Sequence, residues 1–162
     1  MIRRTRSRFS FALGICAIAA FAGCTNTHHV DVMTVLAQGN CQTEETGVHL
    51  IDYTTLAKFR GTHLIGMTES SDAAKNPAHL IAIVPAQFPT PGYSVQLVDG
   101  TTLAEKVLTI AVKVEHPPAD AILAQMITHP CLVVGIADPS VERVRVMSEA
   151  DVLGEVELPK VQ

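Results

Sequence analysis

Histidines, cysteines, serines and carboxylates are the side chains here that could do chemistry, and their spacing argues against a catalytic centre. The seven histidines are His28, His29, His49, His63, His79, His116 and His129, and no two stand four apart within a stretch that reads as helix. Neighbouring turns of a helix would otherwise be the simplest way to bring two of them to one metal ion. Ser70-Ser71-Asp72 lies in a polar stretch without the pattern of a nucleophile elbow. Asp31, Asp52, Glu44 and Glu45 are scattered, so a carboxylate pair would have to be assembled by the fold. His28-His29 reads as a solvated tether rather than a metal site. The expectation is a protein without catalytic residues, metal or cofactor.

The cysteines divide into two groups. Residues 1–23 carry Arg3, Arg4, Arg6 and Arg8, then an apolar run over 9–21, then Ala22-Gly23 before Cys24. That run is short for a membrane span and has the wrong flanks for one, so the segment reads as a cleaved export signal and stays outside the fold. Phe21-Ala22-Gly23-Cys24 resembles the lipobox of bacterial lipoproteins, which implies that Cys24 is acylated and becomes the mature N-terminus. Acyl chains contribute about 0.8 kcal/mol per buried methylene, so several on one cysteine hold a domain at the membrane. An Asp after that cysteine often marks inner-membrane retention. Thr25 stands there instead, and the resemblance implies the outer membrane, facing the periplasm.

Cys16 leaves with the signal and Cys24 takes lipid, leaving Cys41 and Cys131 in an oxidising compartment. Two such cysteines are expected to pair as a structural disulfide. The chain-entropy model values closure of the loop from 41 to 131 at roughly 4 to 5 kcal/mol as an upper figure. A thiol or metal pair is the rival reading, but there is no CxxC and no histidine at ligand spacing from either cysteine.

Charge narrows the partners. The signal holds four of the 12 basic residues and none of the 16 acidic ones, so the mature chain has 8 basic against 16 acidic residues, a net charge of −8. A basic nucleic-acid surface is not expected on that balance. With no tryptophan and 4% aromatic residues, the core must be aliphatic, and a platform for stacking bases or sugars is not expected.

The elements that position these residues are strands. Residues 30–36, 48–51, 78–84, 93–98, 108–114, 131–137, 143–147 and 152–158 read as strands, with turn chemistry between most of them. The run 78–84 is almost continuously apolar, which suits a strand covered on both faces. In 108–114, Leu108, Ile110, Val112 and Val114 alternate with Thr109, Ala111 and Lys113. Asp99-Gly100 reads as a hairpin turn, because both residues tolerate positive φ. Residues 54–59 fit one or two helical turns capped by Asp52 or Thr54 and stopped by Gly61. Residues 62–67 hold an apolar patch of uncertain type, and 68–77 reads as a surface loop. Residues 121–127 fit either a strand or a helix capped by Asp120. The expected architecture is one mainly β domain, an antiparallel sandwich or partly closed barrel with at most one short helix, preceded by the cleaved signal peptide. Its parts are the signal 1–23, a tether 24–29, N-terminal strands and a loop over 30–77, and a β region over 78–158.

The least generic stretch is 87–95, where Pro89, Pro91 and Gly92 stand between two strands taken to form the centre of the domain. Together with Leu80 to Val84, Leu108 to Val114, Gln125, and Thr128-His129-Pro130-Cys131 followed by Leu132-Val133-Val134, the sequence Pro89-Thr90-Pro91-Gly92-Tyr93-Ser94-Val95 resembles the C-terminal domain of the PrcB family of protease complex subunits, over residues 78–136. That family's loop usually reads Pro-Thr-Gly-Gly-Tyr, so Pro91 should stiffen the turn here. By the family pattern 121–127 is a strand. The resemblance implies a binding module without chemistry of its own, supporting a protease or another envelope protein. Phe88, Pro89, Thr90, Pro91, Gly92 and Tyr93 form its candidate binding loop. Tyr93 reads first as a packing residue.

The same turn also resembles the Asn-Pro-Thr-Thr-Gly-Tyr loop of chagasin-type cysteine protease inhibitors, with Phe88 where the Asn stands. This implies inhibition as an alternative function. A structural envelope lipoprotein without a protease partner is the third reading.

Overall fold

The computed structural model describes residues 30–60, 77–149 and 151–160. The signal, Cys24, the tether, Gly61 and the expected loop up to residue 76 lie outside the described residues. Eight strands and one helix follow in the order β1 (Val32–Gln38), β2 (Gly47–Ile51), α1 (Tyr53–Arg60), β3 (His79–Val84), β4 (Ser94–Ala104), β5 (Val107–Glu115), β6 (Cys131–Ile136), β7 (Arg143–Ser148) and β8 (Asp151–Glu157). They form two four-stranded sheets, ordered β1-β6-β3-β2 and β4-β5-β7-β8. The sheets face each other, with β1 beside β4 and β2 beside β8, and among the described residues no ladder closes them into a barrel.

Two cores explain the two kinds of strand pattern. Between the sheets, Ile81, Ile83, Leu132, Val134 and Ile136 meet Leu108, Ile110, Val112, Val144 and Val146. On the outer face of the first sheet, Leu80, Ala82, Val84 and Val133 pack with Leu36, Cys41, Cys131 and, from the helix, Leu56 and Phe59. Both faces of β3 and β6 are therefore covered, and every residue in them is buried. Alternation survives in β5 and β7 because the outer face of the second sheet meets water. That face carries the ion pairs Arg143–Glu155 at 3.2 Å and Arg145–Glu155 at 2.9 Å. Such exposed pairs contribute about 0–1 kcal/mol, against about 1.5–3 kcal/mol for each fully buried aliphatic side chain. The aliphatic cores dominate stability.

The helix begins as its sequence suggests. Asp52 Oδ1 accepts from the Thr55 amide at 2.6 Å, and hydrogen bonding from the Thr55 hydroxyl, then from its amide, holds the Asp52 carboxyl below the usual carboxylate range. Leu56 and Phe59, three apart, then fall on the face turned to the sheet.

Four expectations need correction. Asp99-Gly100 is not a turn: β4 continues to Ala104, and Asp99, Gly100 and Thr101 together stand opposite Ile110 as a bulge. The β4–β5 turn is Glu105-Lys106, both at positive φ (50° and 67°). The Lys106 carbonyl anchors it by accepting from the Glu142 and Arg143 amides at 3.0 and 3.2 Å. Second, β5 and β7 run parallel, so the second sheet is mixed, because the chain crosses to β6 in the other sheet between them. Third, β3 is an inner strand of one sheet while β4 is an edge of the other, so the proline-rich loop passes between sheets rather than joining two central neighbours. Fourth, 121–127 forms neither strand nor helix. It runs without bend or turn and, among the described residues, finds no ladder partner.

Candidate functional site

Strand register places three loops at one end of the sandwich. Gln38 pairs with Cys131, Gly47 with Val84, and Ser94 with Glu115, so loops 39–46, 85–93 and 116–130 leave the same end. The chain enters β1 at the opposite end, where Val32 pairs with Ile136.

The candidate loop is packed on itself. Pro89 and Pro91 hold their own φ near −65°, and Gly92 reverses the backbone at φ 98°. A Cβ on Gly92 would lie 2.8 Å from Pro117 Cβ, so both the turn and the close approach require glycine. The reversal brings the Phe88 and Tyr93 rings into a stack with centroids 3.9 Å apart and 16° between planes. His116 meets Tyr93 edge-on at 5.3 Å. Phe88, Thr90, Pro91 and Tyr93 are half-buried, while Pro89 and Gly92 are exposed.

Backbone bonds then tie this loop to 116–130. Phe88 and Thr128 exchange both amide–carbonyl bonds at 2.9 and 2.8 Å, the Met126 amide donates to the Pro89 carbonyl at 3.1 Å, and the buried Thr128 hydroxyl donates to the Thr90 carbonyl at 2.9 Å. The third loop joins through Cys41–Cys131, a disulfide with its Cα atoms 6.0 Å apart. Beside it the Cys41 amide donates to the His129 carbonyl at 2.8 Å, and Asn40 Oδ1 accepts from the His129 amide at 3.0 Å.

Sequence reasoning therefore named one loop of an end built from three. It missed His116, Thr128 and Asn40, whose roles exist only across long sequence separations. It also missed the exposure of Ile122, Met126 and Ile127, although Pro117-Pro118 and Pro130, bracketing an apolar run, are a visible signal that the run cannot lie deep in a sheet.

An open groove of about 600 Å³ lies between β2, α1 and loop 39–46, on the outer side of that third loop. Two of its polar groups are engaged locally: His49 Nε2 donates to the Thr46 carbonyl at 3.0 Å, and Asp52 caps the helix. Cys24 lies outside the described residues.

Residues 80–137 match the family model described as PrcB C-terminal. The matched segment runs from β3 through both proline-bearing loops to the residue after β6, and agrees with the resemblance carried by 78–136. No curated protein and no solved structure matches the chain.

Proposed function

We propose that the chain is a lipid-anchored accessory subunit without chemistry of its own, which docks a protease or another envelope protein through the three-loop end. The observation that carries this reading is that the family match spans two of the three loops at that end and the strands that hold them. Acylation at Cys24 supplies the anchor, at the periplasmic side of the outer membrane. Since β1 is entered at the far end, an anchor there turns the loops away from the bilayer.

Co-purification of the full chain after mild detergent extraction tests the docking role: a stoichiometric protease or envelope protein is expected, and a chain that emerges alone contradicts it. Cys24→Ala tests the anchor, with release to the soluble fraction or a trapped precursor expected. An unchanged membrane fraction of processed protein counts against lipidation.

The convergence of three loops at one end also favours a second reading, occlusion of a protease cleft in the chagasin manner. Inhibition of a papain-like protease at micromolar concentration would support it, and full activity under those conditions would remove it.

A further inference from the structure

We infer that residues 121–127 are a strand held open for a partner: they pair by backbone hydrogen bonds with an exposed, basic-rimmed sheet edge of the docked protein. The inference rests on the docking role proposed above.

The segment Ala121-Ile122-Leu123-Ala124-Gln125-Met126-Ile127 contains no charge, proline or glycine. It has the makeup of a strand, yet among the described residues the Ile122, Leu123, Ala124 and Gln125 amides donate no hydrogen bond. Three of its four large side chains are exposed, Ile122 at 102%, Met126 at 51% and Ile127 at 59%, while Leu123 is half-buried. Alternation puts Ile122 and Met126 on one side and Leu123 and Ile127 on the other, so a strand formed here can bury apolar surface on both faces.

The second sheet protects its edges. At the edges of the second sheet, β4 is broken by the bulge at Asp99 to Thr101, and β8 carries Asp151, Glu155 and Glu157. Charges and bulges of this kind block edge-to-edge pairing. Residues 121–127 carry neither device.

The segment is also fixed at both ends, which lowers the ordering entropy that pairing must overcome. At its start the Ala121 amide donates to the Pro118 carbonyl at 3.1 Å. At its end the Met126 and Thr128 amides are bonded to loop 85–93, and the disulfide lies just beyond.

Two observations select the occupant. Glu44, Glu45, Glu115, Asp120, Glu149 and Asp151 lie at this end; of the cations near it, Lys113 is paired with Glu115 at 2.7 Å and Lys58 lines a groove beside Glu45, so carboxylates outnumber them. An anionic bilayer surface would be repelled by this rim, and a second copy would bring the same carboxylates face to face. The chain also enters the sandwich at the opposite end, and residues 24–29 reach at most about 20 Å. A protein edge flanked by apolar surface and basic residues satisfies both observations.

The test uses the full chain extracted with its partner. In the free chain the Ile122 to Gln125 amides should exchange at the rate of unstructured peptide, and with the partner bound they should slow by at least ~100-fold. A photocrosslinker at Ile122 should capture one protein in cells, and Ala124→Pro, which removes an amide unused in the free chain, should reduce that capture by about tenfold with the melting temperature unchanged. Ile122→Asp should reduce partner retention without touching the backbone, and a crosslinker at Thr109 on the outer face of the second sheet should capture nothing. A retained partner with unprotected amides, or one indifferent to both variants, overturns strand pairing and leaves the docking role standing. Crosslinks to lipid or to a second copy overturn the choice of occupant. Absence of any retained partner overturns the docking role and this inference together.

Discussion

Loop 85–93 and segment 121–127 are bonded to each other at the same end of the sandwich, yet their side chains are treated in opposite ways. In the first, Phe88 stacks on Tyr93, His116 closes the edge of the stack, and Pro117 fills the space over Gly92. In the second, Ile122, Met126 and Ile127 face solvent. An apolar residue that packs contributes to the stability of the chain itself, whereas one left exposed contributes little until something covers it. The contrast assigns architecture to the proline-rich loop and contact to its neighbour.

That division makes graded predictions. Removing the disulfide with Cys41→Ser and Cys131→Ser frees loop 39–46 from β6. It should cost about 2–5 kcal/mol in thermal or denaturant unfolding, and the wild-type chain should migrate faster on a nonreducing gel. A loss near zero would mean that the pinned side does not depend on the bridge. Gly92→Ala comes next: it meets both a positive φ and Pro117, and should cost about 1–3 kcal/mol, read as a fall in melting temperature.

His79 tests the far end. It is buried at the start of β3, and burial holds its pKa below the ordinary 6.5. The unfolded chain therefore binds this proton at higher pH than the folded one, so stability is full above pH 6.5 and falls as pH drops through the window toward the folded pKa. A melting temperature compared at pH 8 and pH 5 should show the fall, and His79→Gln should flatten it. The smallest effect belongs to Ile122→Ser, which should shift stability by less than about 0.5 kcal/mol. A loss comparable to that of Gly92→Ala would place Ile122 in the packed part and undo the contrast.

Much of this fold can be read from residues alone, and the exceptions share one cause. The runs in β3 and β6 and the alternation in β5 and β7 report directly how many faces are covered. The pairing of Cys41 with Cys131 is legible from the cysteine count once export is expected, and the Asp52 cap from local spacing. What failed required knowledge of a neighbour. Asp99-Gly100 has turn residues, but Ile110 across the ladder makes it a bulge, and the true turn at Glu105-Lys106 lacks glycine because Glu142 and Arg143 hold it from outside. The parallel pairing of β5 with β7 depends on the chain crossing to β6 between them, which no local pattern records. Residues 121–127 have strand composition without a strand to pair with, and the candidate loop's stack depends on a reversal at Gly92 that sequence suggests and contacts complete.

The most direct measurement compares Tyr93→Ala with Ile122→Asp in the full chain, reading melting temperature and partner retention side by side. Tyr93→Ala should remove the ring stack and lower the melting temperature, losing partner only in proportion to unfolding. Ile122→Asp should leave the melting temperature in place and release the partner. Retention of the partner by a folded Ile122→Asp chain, together with its loss from a folded Tyr93→Ala chain, would contradict the account and make the proline-rich loop the contact surface.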